Sequence, residues 1–512
     1  MPAPDSEIEL KLTFPRAALR KLGAHRLVRG AARPVTRKLH TVYYDTPSLD
    51  LWRRGVALRV RRAGRRWIQT VKGGGSVRGG LHERTEIESE VAGPQPELAR
   101  VRSGELAAVF ASPQVRGQLR PVFITDFSRS SRTLELGGDT TVEASIDSGG
   151  IRGGGRSESV NELELELKSG EVSRLYDLAL ELLKDVPLTI ENRSKAERGF
   201  ALARGESLAP VKSQPPTLAT GMAVDEAFAA VIWASLAHLQ ANERGMLAGA
   251  DPEYLHQMRV ALRRLRSALS VFAPVLPPHA AAPIAAELKW LGSALGPARD
   301  WDVFLTETLP PVRAEFGEHP ALAAFDHQCA SLRRQAARRA RRTVASPRYQ
   351  RLVLTLAGRL TAQAWSAALD EAGRARLAAP VVEFAGAVLE PRYARVRKRA
   401  RKLASLSPAE LHRLRIAIKK FRYATDFFAG LYEGRRARET LKRLARLQDI
   451  LGAINDAATV GNLVAEVLHG ANGRQAAEAR GILLGWSRGR AATLRRELNA
   501  AWKAFRAAEK FW

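Results

Sequence analysis

Cysteine is nearly absent from this chain. Cys329 is the one cysteine among 512 residues, which excludes an internal disulfide framework and any cysteine-built zinc site. The expected setting is a reducing one, the cytoplasm. Long apolar runs are missing too: no stretch of about 20 apolar residues occurs, so no membrane-spanning helix is expected. The opening MPAPDSEIEL has neither a basic nor an apolar signal region, so no secretory signal is expected. Aromatics make up only 6%, and the basic helices lack the interleaved rings that stack on nucleic-acid bases. Acids fall short of bases, 53 Asp and Glu against 81 Lys and Arg, for a net charge of +28. An excess of that size implies a polyanionic partner: nucleic acid, an anionic membrane or phosphate chains.

With 45% hydrophobic and 26% charged residues the chain can bury real cores, and its length calls for two or more of them. Residues 1–200 carry +7 of the charge and the remainder +21. The texture changes at the same place. Before residue 200, short alternating runs are broken by glycine clusters such as Gly73-Gly74-Gly75 and Gly153-Gly154-Gly155, which reads as strands and turns. After about residue 220 the chain is rich in Ala, Leu and Arg at helical spacing. The stretch 206–220, ESLAPVKSQPPTLAT, reads as a linker. The sequence GGGSVRGG (73–80) lacks the GxxxxGK[ST] phosphate-loop spacing and reads as a flexible hairpin loop.

The alternating runs carry charge of both signs. Glu7, Glu9 and Lys11 share one face of a first strand, with Ile8, Leu10 and Leu12 on the other. Arg59 and Arg61 alternate in the same way, as do Thr70 and Lys72. So do Arg84, Glu86 and Glu88, then Glu143 and Asp147, and finally Glu162, Glu164, Glu166 and Lys168. One such strand alone fits a solvated outer face. Six of them fit better a sheet closed into a barrel with its charged faces turned inward. Carboxylates in that lumen suit hard divalent cations, and arginines suit phosphate oxygens.

The order of these motifs resembles the CYTH, or triphosphate tunnel metalloenzyme, superfamily. Glu7-Ile8-Glu9-Leu10-Lys11 matches its ExExK signature. YYDT (43–46), ALRVR (57–61), QTVKG (69–73), GLHERTEIE (80–88), TDFSR (125–129), ELELELKSG (162–170) and SKAERG (194–199) follow in order. The resemblance covers about residues 5–205 and is closest to the inorganic triphosphatase branch. It implies an eight-stranded antiparallel tunnel with flanking helices that hydrolyses triphosphates with Mg²⁺ or Mn²⁺. By this resemblance Glu7, Glu9 and Lys11 are catalytic. Glu7, Glu9, Glu164 and Glu166 hold metal, with Glu143 and Asp147 as further candidates. Arg59, Arg61, Lys72, Arg84, Arg129, Lys195 and Arg198 bind substrate. Tyr43 reads as a packed ring.

The C-terminal part repeats itself. LHQMRVALRRLR (255–266) returns as LHRLRIAIKKFR (411–422), an offset of 156 that also aligns LGPARD (295–300) with LGAIND (451–456). Two similar halves, 221–376 and 377–512, are expected. On the first repeated helix His256, Arg259, Arg263 and Arg266 fall within an arc of about 80°, and no acid lies between 254 and 273. His412, Arg415, Lys419 and Arg422 repeat that face. Solvated helix faces usually mix signs, so unmixed ones point to a polyanion. One histidine per helix among positive neighbours does not suit a cation site. Asp300 and Asp456 read as orienting nearby arginines or capping helices.

HxxRVxxRRLR, KWLGxxLGxxRDxD (289–302), HRLRIAIKKFRY (412–423) and LQDILGxxND (447–456) resemble the CHAD domain, the conserved-histidine α-helical domain. Over about 221–512 this implies two pseudo-twofold-related four-helix bundles with a basic cavity that binds inorganic polyphosphate. The implied contacts are His256, Arg259, Arg263, Arg264, Arg266, Lys289, Arg397, His412, Arg415, Lys419, Lys420 and Arg422. The expected protein is an α+β, two-domain enzyme, with a tunnel (1–205), a linker (206–220) and a helical domain (221–512). It would cleave tripolyphosphate to pyrophosphate and phosphate and hold inorganic polyphosphate. A different triphosphate (thiamine triphosphate, a nucleoside triphosphate, or ATP cyclised to cyclic AMP) is the second reading. A polyphosphate-binding protein without catalysis is the third, and binding to duplex phosphates is the fourth. The sequence is silent on oligomeric state.

Overall fold

The computed structural model describes residues 6–29, 34–101, 104–249, 251–432, 434–469 and 473–512. Eight strands build the N-terminal part: β1 (Ser6–Thr13), β2 (Val35–Asp45), β3 (Ala57–Ala63), β4 (Arg66–Arg78), β5 (Leu81–Val91), β6 (Arg120–Glu135), β7 (Thr141–Gly153) and β8 (Arg156–Ser169). Their order is β5-β4-β3-β2-β6-β7-β8-β1, and pairing of β1 with β5 closes the ring. Every pairing is antiparallel. A two-residue strand β9 (Thr189–Ile190) adds to β1 beyond the point where β5 leaves it. Closure explains the alternation. Leu10, Leu12, Leu163 and Leu165 are fully buried on the outer side beneath covering helices, so the charged residues between them must point inward.

The glycine-rich stretch 73–78 is not a loop. It continues β4, with a bulge between Gly73 and Ser76, and the turn proper falls at Gly79-Gly80, both at positive φ. At Gly75 a Cβ would sit 1.8 Å from the Glu83 carbonyl oxygen. The glycines therefore serve a close strand crossing.

Two helices frame the barrel locally: α1 (Ser173–Leu182) and α2 (Lys195–Arg204). A capping box starts α2, with the Ser194 side chain accepting from Glu197 N and Glu197 accepting from Ser194 N. Gly205 ends it in the left-handed conformation. Gly199 lets α2 approach β6, since a Cβ there would lie 2.0 Å from the Phe123 ring.

The remaining principal helices are α3 (Val224–Ala241), α4 (Pro252–Phe272), α5 (Pro278–Val303), α6 (Pro320–Val344), α7 (Pro347–Thr361), α8 (Val381–Arg399), α9 (Pro408–Phe428), α10 (Arg435–Val467) and α11 (Arg474–Arg506). Helices α3–α6 pack in sequence, as do α8–α11. The start and end of α9 lie 156 residues after those of α4, 252 to 408 and 272 to 428. The repeat is thus a repeat of helices, four long ones per half.

The chain forms two compact units, residues 1–209 with 347–364, and residues 210–346 with 365–512. Helix α7 lies in sequence between the two helical halves but packs on α1 of the barrel unit. Its Gly358 faces the Tyr176 side chain, and Gln350 Oε1 accepts from Ile190 N at 3.4 Å.

Candidate functional site: a charged tunnel and a basic cleft

Strand register sets the tunnel chemistry. Glu7 pairs with Arg84 across β1–β5, while Glu9 sits opposite Glu166 and Lys11 opposite Glu164 across β1–β8. These inward residues surround a cavity of about 290 Å³. Glu7, Glu9, Lys11, Arg59, Arg61, Lys72, Arg84, Arg129, Glu143, Glu164, Glu166 and Lys195 all line it. A second cavity of about 380 Å³ shares Arg61, Glu88, Arg129 and Glu143 with the first. Arg61 and Arg129 therefore stand where the two spaces meet.

One wall is a neutralised network. Lys11 Nζ reaches Glu9 at 2.6 Å and Glu164 at 2.7 Å. Lys195, delivered by the first turn of α2, reaches Glu162 (2.6 Å), Glu164 (2.7 Å) and Asp147 (2.9 Å). Arg129 makes a bidentate pair with Asp147 at 2.7 and 2.8 Å and also meets Glu164. Burial disfavours every charge here, but the partners win for most of them. The neighbouring cations Arg129, Lys11 and Lys195 hold Glu164 well below the usual carboxylate range. Burial works against Lys11 as well, yet Glu164 and Glu9 raise it well above the usual lysine range. Glu162 is the exception: burial, helped by Glu164, pushes it up despite Lys195.

Arg61 differs from these cations. Among the described residues no carboxylate lies within 4 Å of it, and its buried Nε has no hydrogen-bond partner. Burial, then Arg59 and Arg129, pull it down to about 10. A cation drawn partly out of water and without a paired carboxylate gains when an anion joins it.

The carboxylates at the other side repel one another. Burial raises Glu166, and Glu7 and Glu143 add to the rise against the opposing Lys168 at 2.5 Å. Among the described residues no three His, Cys, Asp or Glu side chains form a ready-made metal cage. The donor set still fits Mg²⁺ or Mn²⁺. It is all oxygen, a cation would relieve its repulsion, and Mg²⁺ is usually held by one or two carboxylates together with substrate phosphates.

Arg198 does not face the lumen. It is 4% exposed and holds Glu158 at 3.0 Å, Glu162 at 3.1 Å and the Ser159 carbonyl. Asp147 is wholly buried between Arg129 and Lys195. Both lock neighbouring groups in place. The tunnel also contains residues that the sequence reading left unassigned. Glu86 bridges Arg59 (3.2 Å) and Lys72 (2.9 Å), and its place in the Arg84-Glu86-Glu88 alternation was the available signal. Tyr43 packs on Phe123 with centroids 4.3 Å apart, as a packed ring does, yet it also lines the cavity. Burial would raise its phenol, but the hydrogen-bonded Arg59 pulls it lower. His82, buried beside Lys11, is pushed down to about 3 and is neutral.

In the helical unit, α4 and α9 bring their basic faces together. A cavity of about 340 Å³ between them is lined by Arg263, Arg266, Arg392, Lys419, Lys420 and Tyr423 among others. Among the described residues, Arg259, Arg263, Arg266, Arg415, Lys419, Lys420 and Arg422 have no carboxylate within 4 Å. Arg259 donates to the Gly292 carbonyl at 3.3 Å, Arg263 to the Tyr423 hydroxyl at 3.2 Å and Arg422 to Gln448 at 3.0 Å. Burial and then Arg415 and Arg263 lower Lys419 to about 8. Burial and the nearby Arg299 keep His256 low, and His412 bonds Asn455 at 2.8 Å. Burial raises Asp300, which faces Arg259, and Asp456, which faces Arg415. Arg264 is not on this face. It is buried against Asp426 and over the Phe427 ring. Lys289 and Arg397 are exposed on α5 and α8 and do not line the cavity.

The fold and its two sites define a class: a closed antiparallel tunnel with a charged lumen, on one chain with a duplicated helical domain. Comparison with known proteins gives it a family. Residues 5–200 match the CYTH domain and residues 230–465 the CHAD domain, so the chain carries an N-terminal CYTH domain and a C-terminal CHAD domain. The chain is 31% identical over 171 residues to the inorganic triphosphatase of Haemophilus influenzae, a match covering 33% of this chain and 47% of that protein. It is 28% identical over 286 residues to an uncharacterized protein of Mycobacterium tuberculosis, covering 52% of each. The chain thus spans about half the length of the curated relatives it matches. The crystal structure of the CHAD domain from the plant Ricinus communis is similar at 35% identity and a TM-score of 0.52, covering 59% of this chain and 98% of that one. Among the described residues no helix is long and apolar enough to cross a membrane.

Proposed function

We propose that the tunnel is a metal-dependent inorganic triphosphatase that hydrolyses tripolyphosphate to pyrophosphate and phosphate, and that the helical domain binds inorganic polyphosphate. The observation that carries the first part is Arg61, a half-buried cation with no carboxylate within 4 Å among the described residues, at the junction of the two tunnel cavities. A phosphate oxygen supplies the partner it lacks. Arg59, Lys72, Arg84, Arg129, Lys11 and Lys195 add positive charge around the same space. Phosphoryl transfer requires charge neutralisation and in-line positioning more than a protein nucleophile, and water is the attacking group in this reading.

Glu7, Glu9 and Glu166, with Glu143 beside them, would hold Mg²⁺ or Mn²⁺. Such an ion, when bound, neutralises charge developing on phosphate oxygens. Glu9, buried and fixed by Lys11, orients water or metal. Glu164 holds Lys11, Arg129 and Lys195 in register, which makes it a positioning carboxylate. Arg61 and Arg129 grip the phosphates. The lining cations match phosphate alone, whereas a nucleotide or thiamine needs a recognition pocket for its organic part. The unmixed basic faces of α4 and α9 support the second part of the proposal.

The test is phosphate release by the full chain, offered tripolyphosphate, ATP and thiamine triphosphate side by side with Mg²⁺ or Mn²⁺. Tripolyphosphate is expected to be preferred, with activity lost on chelation. A preference for either organic triphosphate, or no release from any of them, overturns the reading.

A further inference from the structure

The second helical half contains a cavity of about 650 Å³ apart from the basic cleft, walled by α9, α10 and α11. Its body is apolar, formed by Leu411, Leu451, Ile454 and Leu484. Two arginines of α11, Arg488 and Arg495, lie seven residues apart on one helix face and line the same space. Among the described residues neither has a carboxylate within 4 Å or a hydrogen-bond partner, and no acid lines the cavity. The 156-residue repeat sharpens the contrast. The first half has Leu305 where the second has Gly461, and it carries an acid, Asp302, paired with Arg333 at 2.7 Å. A Cβ on Gly461 would meet only Leu484, at 3.9 Å, so the space beside it is open.

We infer that this cavity binds a small amphipathic anion, an acidic head group on an aliphatic body. The volume lies within the range of ligand sites, about 300–1,000 Å³. The apolar wall gains by covering hydrocarbon, and the two arginines gain from a carboxylate, sulfonate or phosphate head. A bare phosphate chain would leave the apolar wall wet. An apolar molecule without charge would leave both arginines unpaired. His412, an implied polyphosphate contact of α9, and its hydrogen-bond partner Asn455 also line this cavity, which otherwise shares no lining residue with the tunnel or with the cavity between α4 and α9.

Isothermal titration of the full chain with laurate tests this, with methyl laurate as the uncharged counterpart. Saturable one-to-one binding of laurate is expected, at least about tenfold tighter than the ester, the effect of losing one charge-assisted contact. Arg488→Gln with Arg495→Gln is expected to weaken laurate by about tenfold or more. Gly461→Leu, which installs the first-half residue and favours the helix, is expected to abolish binding by filling the space. Unchanged circular dichroism and phosphate release show that both variants are folded. Absence of saturable laurate binding, equal binding of the ester, or retained affinity in either folded variant overturns the inference.

Discussion

Arg61 and Lys195 are both cations of the tunnel wall, yet their removal should have opposite consequences. Arg61 has no carboxylate within 4 Å among the described residues, and the attraction of Glu88 is outweighed by burial, Arg59 and Arg129, so Arg61→Gln should leave the melting temperature unchanged or raise it. It should lower kcat/KM for tripolyphosphate about 30-fold, the loss of one charged phosphate contact of about 2 kcal/mol. Lys195 neutralises Asp147, Glu162 and Glu164. Lys195→Met strands those acids, and breaking such buried pairs costs on the order of 3–5 kcal/mol; thermal melting should show it. Lys419 gives a pH dependence. Its ammonium, lowered to about 8 beside Arg415 and Arg263, is charged below that pH and neutral above it. Polyphosphate affinity should therefore fall several-fold from pH 7 to 9, and Lys419→Arg should flatten that decline in a fluorescence titration. The inward parity of Glu7, Glu9 and Lys11 was legible in the sequence because a strand has a strict period of two. Arg198 and Arg264 were not legible. Each sits in the expected motif, but its direction depends on a distant acid, Glu158 with Glu162 in one case and Asp426 in the other. The repeat equivalent of Asp426 is Ser270, so Lys420 lacks that anchor and stays at the cavity.

At the level of elements, the strand order and the duplicated helices follow from local patterns: alternation, turn glycines and a fixed offset. Helix α7 does not. Its period marks it as a helix, but its partner α1 lies far away in sequence, and only tertiary packing reveals that it belongs with the barrel unit. Gly358 is its contact point, where a Cβ would sit 2.9 Å from Tyr176 Cβ. Gly358→Leu should destabilise the barrel unit by roughly 1–3 kcal/mol, the usual range for overpacking. Differential scanning calorimetry checks this, and an unchanged melting profile would contradict the packing assignment. The stretch 73–80 departs from its local pattern for a related reason. Glycines marked a break in the chain, but the partner strand β5 turns them into a bulged continuation of β4.

Across the whole molecule, the proposed function divides the charge of +28 between two different tasks. In the tunnel, cations are interleaved with carboxylates, an arrangement suited to cutting a phosphate chain with a metal. On the basic faces of α4 and α9 they have no carboxylate within 4 Å among the described residues, an arrangement suited to holding one. The most direct test of that division uses two readouts on the full chain, tripolyphosphate hydrolysis and retention of long-chain polyphosphate. Glu9→Gln should abolish hydrolysis and leave retention intact. Arg259→Glu with Arg415→Glu should weaken retention and leave tripolyphosphate hydrolysis near the wild-type rate. If either variant loses both activities while remaining folded, the two sites are not separate and the account is contradicted.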